Sequence, residues 1–416
     1  QQPETRAEMV RRSQVRLERE YAPKRLRAQV KSMIDIAREQ TTKPRQAPQV
    51  DTKPHQQRVL FVSNAYVPTL QLSFIKPLAP LVAAGEIKTE FLTEEQIKRK
   101  QWSNDGYSSV KPWIINRFER FHPDLLVFCR YSGPYADVLL DLARKNGNPV
   151  IYHIDDDLLG IPQDIGEHKH RFHNEEKRLD TVRLLLNQSN LVYASTQNLK
   201  HYLATQKIQA PIVTGSIYCS GQAINMPAYR PVRKIGYMAS ADHAHNLTQV
   251  IGALVRLLRK HPDINFEFFG SIPSPPAFAE FGGRICHAPK IDNYEEFLQR
   301  FAEYQWDIGI CPLSPIHFNL MKANTKWVEY TSVGAAVVAS KDTVYDECCA
   351  DGCGLLATSE DEWFEALDSL ITDPKARYRQ VIRAQNKLRD QYSIDRLRDQ
   401  VLNVFTQAHL LVGKSS

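Results

Sequence analysis

A chain of 416 residues with 43% hydrophobic and 24% charged side chains is too long for one ordinary core and has the make-up of a soluble protein of two domains plus an extension. It contains no run of about eighteen apolar residues and its start lacks the apolar core of a secretory leader, so neither a membrane span nor export is expected. The net charge of +6 resides entirely in residues 1–50, which hold 12 Lys and Arg against 6 Asp and Glu; the balanced remainder argues against a nucleic-acid partner.

Seven cysteines, an odd number scattered through apolar runs, fit a reducing cytoplasm better than a disulfide framework. The cluster Cys348, Cys349 and Cys353 lacks the matching CxxC or His pair of a zinc site. Beginning with Gln1 rather than Met, the chain is expected to lack residues upstream.

Residues 5 to about 40 read as helical, broken at Pro23, with Leu26, Val30, Met33 and Ala37 forming a narrow apolar seam among Arg25, Arg27, Lys31 and Arg38. Such a segment packs on the body, meets a partner helix or lies on an anionic membrane surface. The seam lacks bulky aromatics, which favours packing or a protein partner. A Pro-, Gln-, Thr- and Lys-rich linker follows at 41–57.

An alternation of short apolar runs and amphipathic helices begins at Arg58. Strands are predicted at Val59–Ser63, Phe91–Leu92, Asp124–Cys129, Pro149–Ile154, Leu191–Ser195 and Ile212–Thr214. Helices are predicted at Leu72–Ala84, Trp113–Phe121 and Ala136–Arg144, with a helix or loop at Glu94–Arg99 and a polar insertion at 102–109 carrying Trp102, Asn104, Asp105 and Gly106. Runs buried on both faces between helices predict a parallel α/β sheet. Gly221–Pro231 breaks the pattern and is taken as the boundary between domains.

A second series follows. Strands are predicted at Lys234–Met238, Asn265–Phe269, Gly283–Cys286, Asp307–Cys311, from Ala335, and at Gly354–Leu356. Helices are predicted at Asn246–Lys260, Tyr294–Tyr304, Asn324–Val333, Asp361–Ile371 and from Pro374 to about Leu411. The fold class is therefore α/β, with two doubly wound domains facing a cleft at the carboxyl ends of their strands, where ligands bind in open sheets.

The stretch Phe318–Ser340 carries the densest chemistry. Lys322, Lys326 and Glu329 stand at i, i+4 and i+7 and share one face if the helix extends back to Lys322. Two ammonium groups and a carboxylate at a helix N-terminus suit a diphosphate and a ribose. An ordinary solvated helix face with an i,i+3 pair is the alternative.

These residues also carry a resemblance. Asp307–Leu313, Phe318-Asn319, Lys322, Lys326, Glu329-Tyr330, Gly334 and Val337–Ser340, with Ile235–Tyr237, His243, Asn246-Leu247 and Phe266–Gly270, resemble the donor-site half of GT-B glycosyltransferases of family four, the retaining type found in bacterial surface-polysaccharide synthesis. Asp124–Val127 and Pro149–Asp157 resemble the first domain more loosely. The resemblance spans about residues 58–400.

It implies a first Rossmann-like domain over 58–225 for the acceptor and a second over 231–390 for the nucleotide-sugar donor. A C-terminal helix at 391–416 is expected to pack back on the first domain, and 1–50 form a basic helical extension. Glu329 is implied to hold the ribose. Lys322, which replaces the family's sugar-facing glutamate, and Lys326 would neutralise the diphosphate. Ser240, His243 and Asn324 are also implied to contact the donor, with Asp155 and Lys326 as the catalytic pair. Asn64, Arg130 and Asp156 are expected to face the acceptor.

Read alone, the run Asp155-Asp156-Asp157 suggests either a divalent metal binding a nucleotide diphosphate or a helix cap. His153 reads equally as a core histidine. His168, His170 and His173 fit no single helical or strand face.

The function that the resemblance implies is transfer of a hexose-like sugar from a nucleotide-diphosphate sugar to a glycan, lipid-linked or protein acceptor in polysaccharide or glycoconjugate synthesis, with retention, without a metal and without a further cofactor. Location in the cytoplasm is expected, with a protein partner or the inner membrane face met through residues 1–40. A sugar-nucleotide epimerase of the same fold, a non-catalytic partner subunit and a metal-dependent transferase using the three aspartates are the rival readings.

Overall fold

Alternate residues of each strand are apolar on both sides, which demands helices on both faces of each sheet. In a computed structural model, which describes residues 56–103, 109–163, 166–215, 221–291 and 293–412, that demand is met twice. The expectations for the basic extension 1–50, its partner or membrane contact and nearly all of the linker, together with Asn104, Asp105, Gly106 and Cys219, lie outside the described residues.

The first sheet comprises β1 (Gln57–Ser63), β2 (Ile87–Thr93), β3 (Leu125–Cys129), β4 (Val150–Ile154), β5 (Leu191–Ala194) and β6 (Ile212–Thr214), in the order β2-β1-β3-β4-β5-β6. The second comprises β7 (Lys234–Ala239), β8 (Asn265–Gly270), β9 (Ile285–Ala288), β10 (Ile308–Cys311), β11 (Ala336–Ser340) and β12 (Leu355–Ala357), in the order β12-β11-β10-β7-β8-β9. Every pairing is parallel, with Val59 opposite Leu125 and Leu126 opposite Val150 in the first sheet.

Side chains sort by parity. Leu60 and Val62 enter one apolar cluster and Val59 and Phe61 the opposite one. In the second sheet Ala336 and Val338 face one cluster, Val337 and Ala339 the other. Two Rossmann-like domains thus turn the carboxyl ends of their strands toward a shared cleft, the GT-B arrangement. The last helix, Ile394–Val412, places Leu397, Val401, Val404, Phe405 and Ala408 in the core of the first sheet, where Phe405 stacks on Phe74.

Several elements differ from the sequence expectation. The helix expected from Leu72 begins at Pro68, whose fixed φ suits a first turn, and passes through a π-helical turn at Gln71–Ile75 before Lys76–Ala83. The helix expected at Asn246–Lys260 is three pieces, Ala244–Leu247, Thr248–Val250 and Ile251–Lys260. Helices at Glu167–His173, Glu176–Gln188 and Gln197–Thr205 were not foreseen. Among the described residues, no helix is long and apolar enough to cross a membrane.

Candidate functional site

The second domain forms its half of the site from strand ends. β7 runs into Ser240 and a tight turn at Ala241–His243, closed by the His243 amide donating to the Ser240 carbonyl at 3.0 Å. β8 ends on Gly270, whose φ of +122° and close approach to β7 exclude a side chain: a Cβ there would lie 2.3 Å from the Ala239 carbonyl oxygen. Ser271 follows, its hydroxyl accepting from the Ala241 amide at 3.1 Å.

The helix Thr325–Ser332 is seated by fully buried Trp327, Val328 and Tyr330, and the Tyr330 hydroxyl accepts from the Met238 amide at 2.9 Å. Gly334, with φ of +79°, follows its end. Its first turn carries no side-chain cap, and the Asn324 side chain donates from Nδ2 to the Tyr392 hydroxyl at 2.9 Å.

The helix does not reach back to Lys322. That residue sits in the turn after His317–Leu320, its amide donating to the Asn319 carbonyl at 3.2 Å, so the common helix face expected for Lys322, Lys326 and Glu329 does not exist. The three nevertheless line one cavity of about 430 Å³, because the turn lays Lys322 beside the helix's first turns. Ser240 and His243 line the same cavity from β7, and Asp155 and Asp156 line it from the first domain. Asn324 lines a neighbouring cavity of about 660 Å³ that meets the first at Lys322 and Ala323.

Glu329 is only 7% exposed. Burial pushes its carboxyl up to about 7, against the opposing pull of Lys326 and of the Tyr294 hydroxyl, which donates to Oε1 at 3.1 Å. Across the cleft, Arg130 at the end of β3 has a left-handed φ of 50° and sets Nη1 at 2.7 Å from Asp155 Oδ1 and 3.0 Å from Asp156 Oδ2. Thr69 Oγ1 donates to Asp155 Oδ2 at 2.6 Å. Burial raises the Asp156 carboxyl, Arg130 opposes it, the Asp155 charge adds to it and Lys322 opposes it from the other domain.

Of the acceptor-side expectations, only Asp156 lines the cavity. Arg130 stands behind the two aspartates. Asn64 is bonded to Ser132, donating to its hydroxyl at 3.1 Å and accepting from its amide at 3.0 Å.

The third aspartate has a different duty. Asp157, 3% exposed, accepts from the Leu159 amide at 3.0 Å and caps the turn that follows β4.

His153 is fully buried. Its Nδ1 donates to the Tyr193 carbonyl and its Nε2 accepts from the Ser73 hydroxyl, both at 2.9 Å, while burial lowers its pKa to about 4, so it is a neutral core histidine. His170 is tied to the Ile161 carbonyl at 2.7 Å. Among the described residues, no three His, Cys, Asp or Glu side chains group as metal ligands.

Sequence reasoning missed Thr69, Ser271, Lys290 and Tyr294, all of which line the cavity. Tyr294 heads a helix legible in the sequence, yet nothing local connects it to Glu329, 35 residues on.

Comparison with known proteins places this geometry in context. Residues 250–403 match the family described as glycosyl transferase-like. No curated protein matches the chain in sequence.

The fold is similar to that of HepE from Anabaena, solved in complex with UDP-glucose, at TM-score 0.60 and 14% identity over 84% of this chain and 99% of that one. It is likewise similar to sucrose-phosphate synthase from Thermosynechococcus elongatus, at TM-score 0.59 and 12% identity over 84% and 98% of the two chains. For the trehalose-6-phosphate synthase OtsA the figures are 0.56 and 14% over 84% and 99%. At these identities the likeness is one of fold, and the segment of second-domain sequence carrying Lys322, Lys326 and Glu329 lies inside the stretch matched as glycosyl transferase-like.

Proposed function

We propose that the protein is a retaining glycosyltransferase that takes a sugar from a nucleotide-diphosphate donor and passes it to a glycan, lipid-linked or protein acceptor in bacterial polysaccharide or glycoconjugate synthesis. The observation that carries this reading is the convergence of Lys322, Lys326 and Glu329 on one interdomain cavity opposite Asp155 and Asp156. HepE, of the same fold, binds UDP-glucose, which supports a UDP-sugar as the first donor to try.

In this reading Glu329 accepts the ribose hydroxyls, and Ser240 and His243 flank the phosphates. Lys322, Lys326 and the uncapped helix start meet the charge that develops as the bond from the anomeric carbon to the phosphate oxygen breaks. The acceptor oxygen bonds to that carbon from the same face, and its proton passes to the leaving phosphate oxygen. Two lysines supply the cationic compensation, so a divalent ion is not required. Asp155 and Asp156, held by Arg130, face the sugar and acceptor side of the cavity.

A panel of UDP-, ADP-, GDP- and dTDP-sugars tested by thermal shift, followed by product analysis with the best binder, tests the proposal. Stabilisation by at least one donor that is lost in Glu329→Ala is expected. Absence of stabilisation by every donor counts against the reading.

A further inference from the structure

The segment between β10 and the Thr325–Ser332 helix belongs to the second domain in sequence and to both domains in packing. Its base is held by the second domain: fully buried Asn246 accepts from the Ser314 amide at 2.8 Å, and the Asn319 side chain donates to the Ser314 carbonyl at 3.0 Å. Its tip is held by the first. Phe318 and Met321, 6% and 1% exposed, are members of the first domain's apolar cluster, together with Leu158, Ile161 and Leu199.

Polar contacts fix the same tip. Thr196 Oγ1 donates to the Met321 carbonyl and Asn198 Nδ2 to the Leu320 carbonyl, both at 2.8 Å. The His317 ring meets the edge of Tyr202 with centroids 4.7 Å apart. Lys322 follows immediately, its Nζ 4.9 Å above the Phe318 ring, and reaches the cavity. Lys326 and Glu329, in contrast, stand on a helix seated in the second domain's own core.

We propose that Asn198, with Thr196, is a positioning residue for Lys322, so that one of the two donor-site lysines is presented to the diphosphate only while the domains are docked through this plug. The inference rests on the donor-site reading above. The two carbonyls held by the first domain belong to the residues directly before Lys322, so release of either shifts the backbone that aims its ammonium group. Displacements of this kind are costly where charge must be met at fixed distance. The lysine would then contribute fully to a closed enzyme and little to an open one, with Glu329 binding in both.

UDP binding measured by calorimetry on the full chain, in a double-mutant cycle of Asn198→Ala with Lys322→Ala, tests this. Loss of one such hydrogen bond predicts that Asn198→Ala weakens UDP binding about fivefold in the wild-type background and less than about twofold when Lys322 is already Ala. A parallel cycle with Glu329→Gln is expected to be additive. Asn198→Asp keeps the side chain's size but places an acceptor against the carbonyl, and it should match or exceed the alanine effect.

The same factor in both Lys322 backgrounds, no weakening by Asn198→Ala, or wild-type behaviour of Asn198→Asp would overturn the inference while leaving donor binding intact. Failure of wild type to bind UDP, ADP, GDP or dTDP would instead remove the donor-site reading and this inference with it.

Discussion

The hydroxyl of Tyr294 donates to Glu329 Oε1 at 3.1 Å, joining the start of one helix to a carboxylate on another that burial has brought up to about 7. A carboxylate accepts two ribose hydroxyls only when ionised, so nucleotide diphosphate affinity should rise as pH is taken from 6 to 8. Calorimetric titration of UDP at several pH values checks this against Glu329→Gln, which should lose that increment while keeping any contributed by the ligand's own phosphates. Tyr294→Phe removes a contact that favours the ionised form and should move the wild-type midpoint upward.

The same group sets a folding signature. The folded protein holds the Glu329 proton up to about pH 7, whereas the ordinary value is 4.5, so the folded state binds the proton more tightly than the unfolded chain. Its contribution is greatest below pH 4.5 and is lost as pH rises through 7, a change of roughly 3 kcal/mol. Denaturant unfolding at pH 5 and pH 8 should therefore show a smaller alkaline loss in Glu329→Gln than in wild type. Equal losses in the two proteins would contradict the buried, proton-holding environment.

What could be read from the sequence follows the range of the forces involved. The strands were legible because residues such as Leu125 to Cys129 are buried on both faces and leave an unbroken apolar run. The Glu176–Gln188 helix was not. One position of its inward face is Arg178, buried and paired with Glu94 at 2.6 Å, and a cation there breaks the apolar period. The π-turn at Gln71–Ile75 has no residue pattern of its own.

At the site, Lys326 and Glu329 were legible as neighbours on one helix. The partnerships of Thr69 with Asp155 and of Tyr294 with Glu329 join residues 86 and 35 positions apart, and only the folded chain reveals them.

Arg130 is the cation that allows Asp155 and Asp156 to lie side by side, with both aspartate side chains at least four-fifths buried. Removing one partner of such a cluster leaves uncompensated charge, so Arg130→Met should cost about 3 kcal/mol at pH 8. The loss should be smaller at pH 5 than at pH 8, because burial raises the Asp156 carboxyl and so favours its uptake of a proton, and Asp156→Asn in the same chain should restore part of it. Chemical denaturation of wild type and the two variants at both pH values measures the effect, and a loss independent of pH would argue for lost packing of the Arg130 side chain instead.

Lys76 of the first domain reaches Glu295 of the second at 2.6 Å and stands 5.4 Å over the ring of Tyr294. Glu295 is 65% exposed, so the pair contributes little to global stability, and Lys76→Ala should lower it by less than about 1 kcal/mol. Its position across the cleft predicts a larger effect on closure. Hydrogen exchange in 68–76 and 294–304 should quicken in Lys76→Ala without a matching fall in melting temperature, and unchanged exchange would show that the pair does not restrain the domains.

Gly270 links strand packing to the floor of the cavity. Its φ of +122° is a conformation that side-chain-bearing residues rarely adopt, and a Cβ would lie 2.3 Å from the Ala239 carbonyl oxygen, a backbone atom that cannot swing aside. Gly270→Ala must therefore push β8 away from β7 and strain the turn in which the Ser271 amide donates to Ala239 at 3.2 Å and its hydroxyl accepts from Ala241. A loss of about 2–4 kcal/mol in denaturant unfolding is expected. Ser240 and His243 follow directly on β7, so nucleotide affinity in the surviving folded fraction should fall too, whereas Gly283→Ala, where no atom lies within 4 Å of the new Cβ, should change neither.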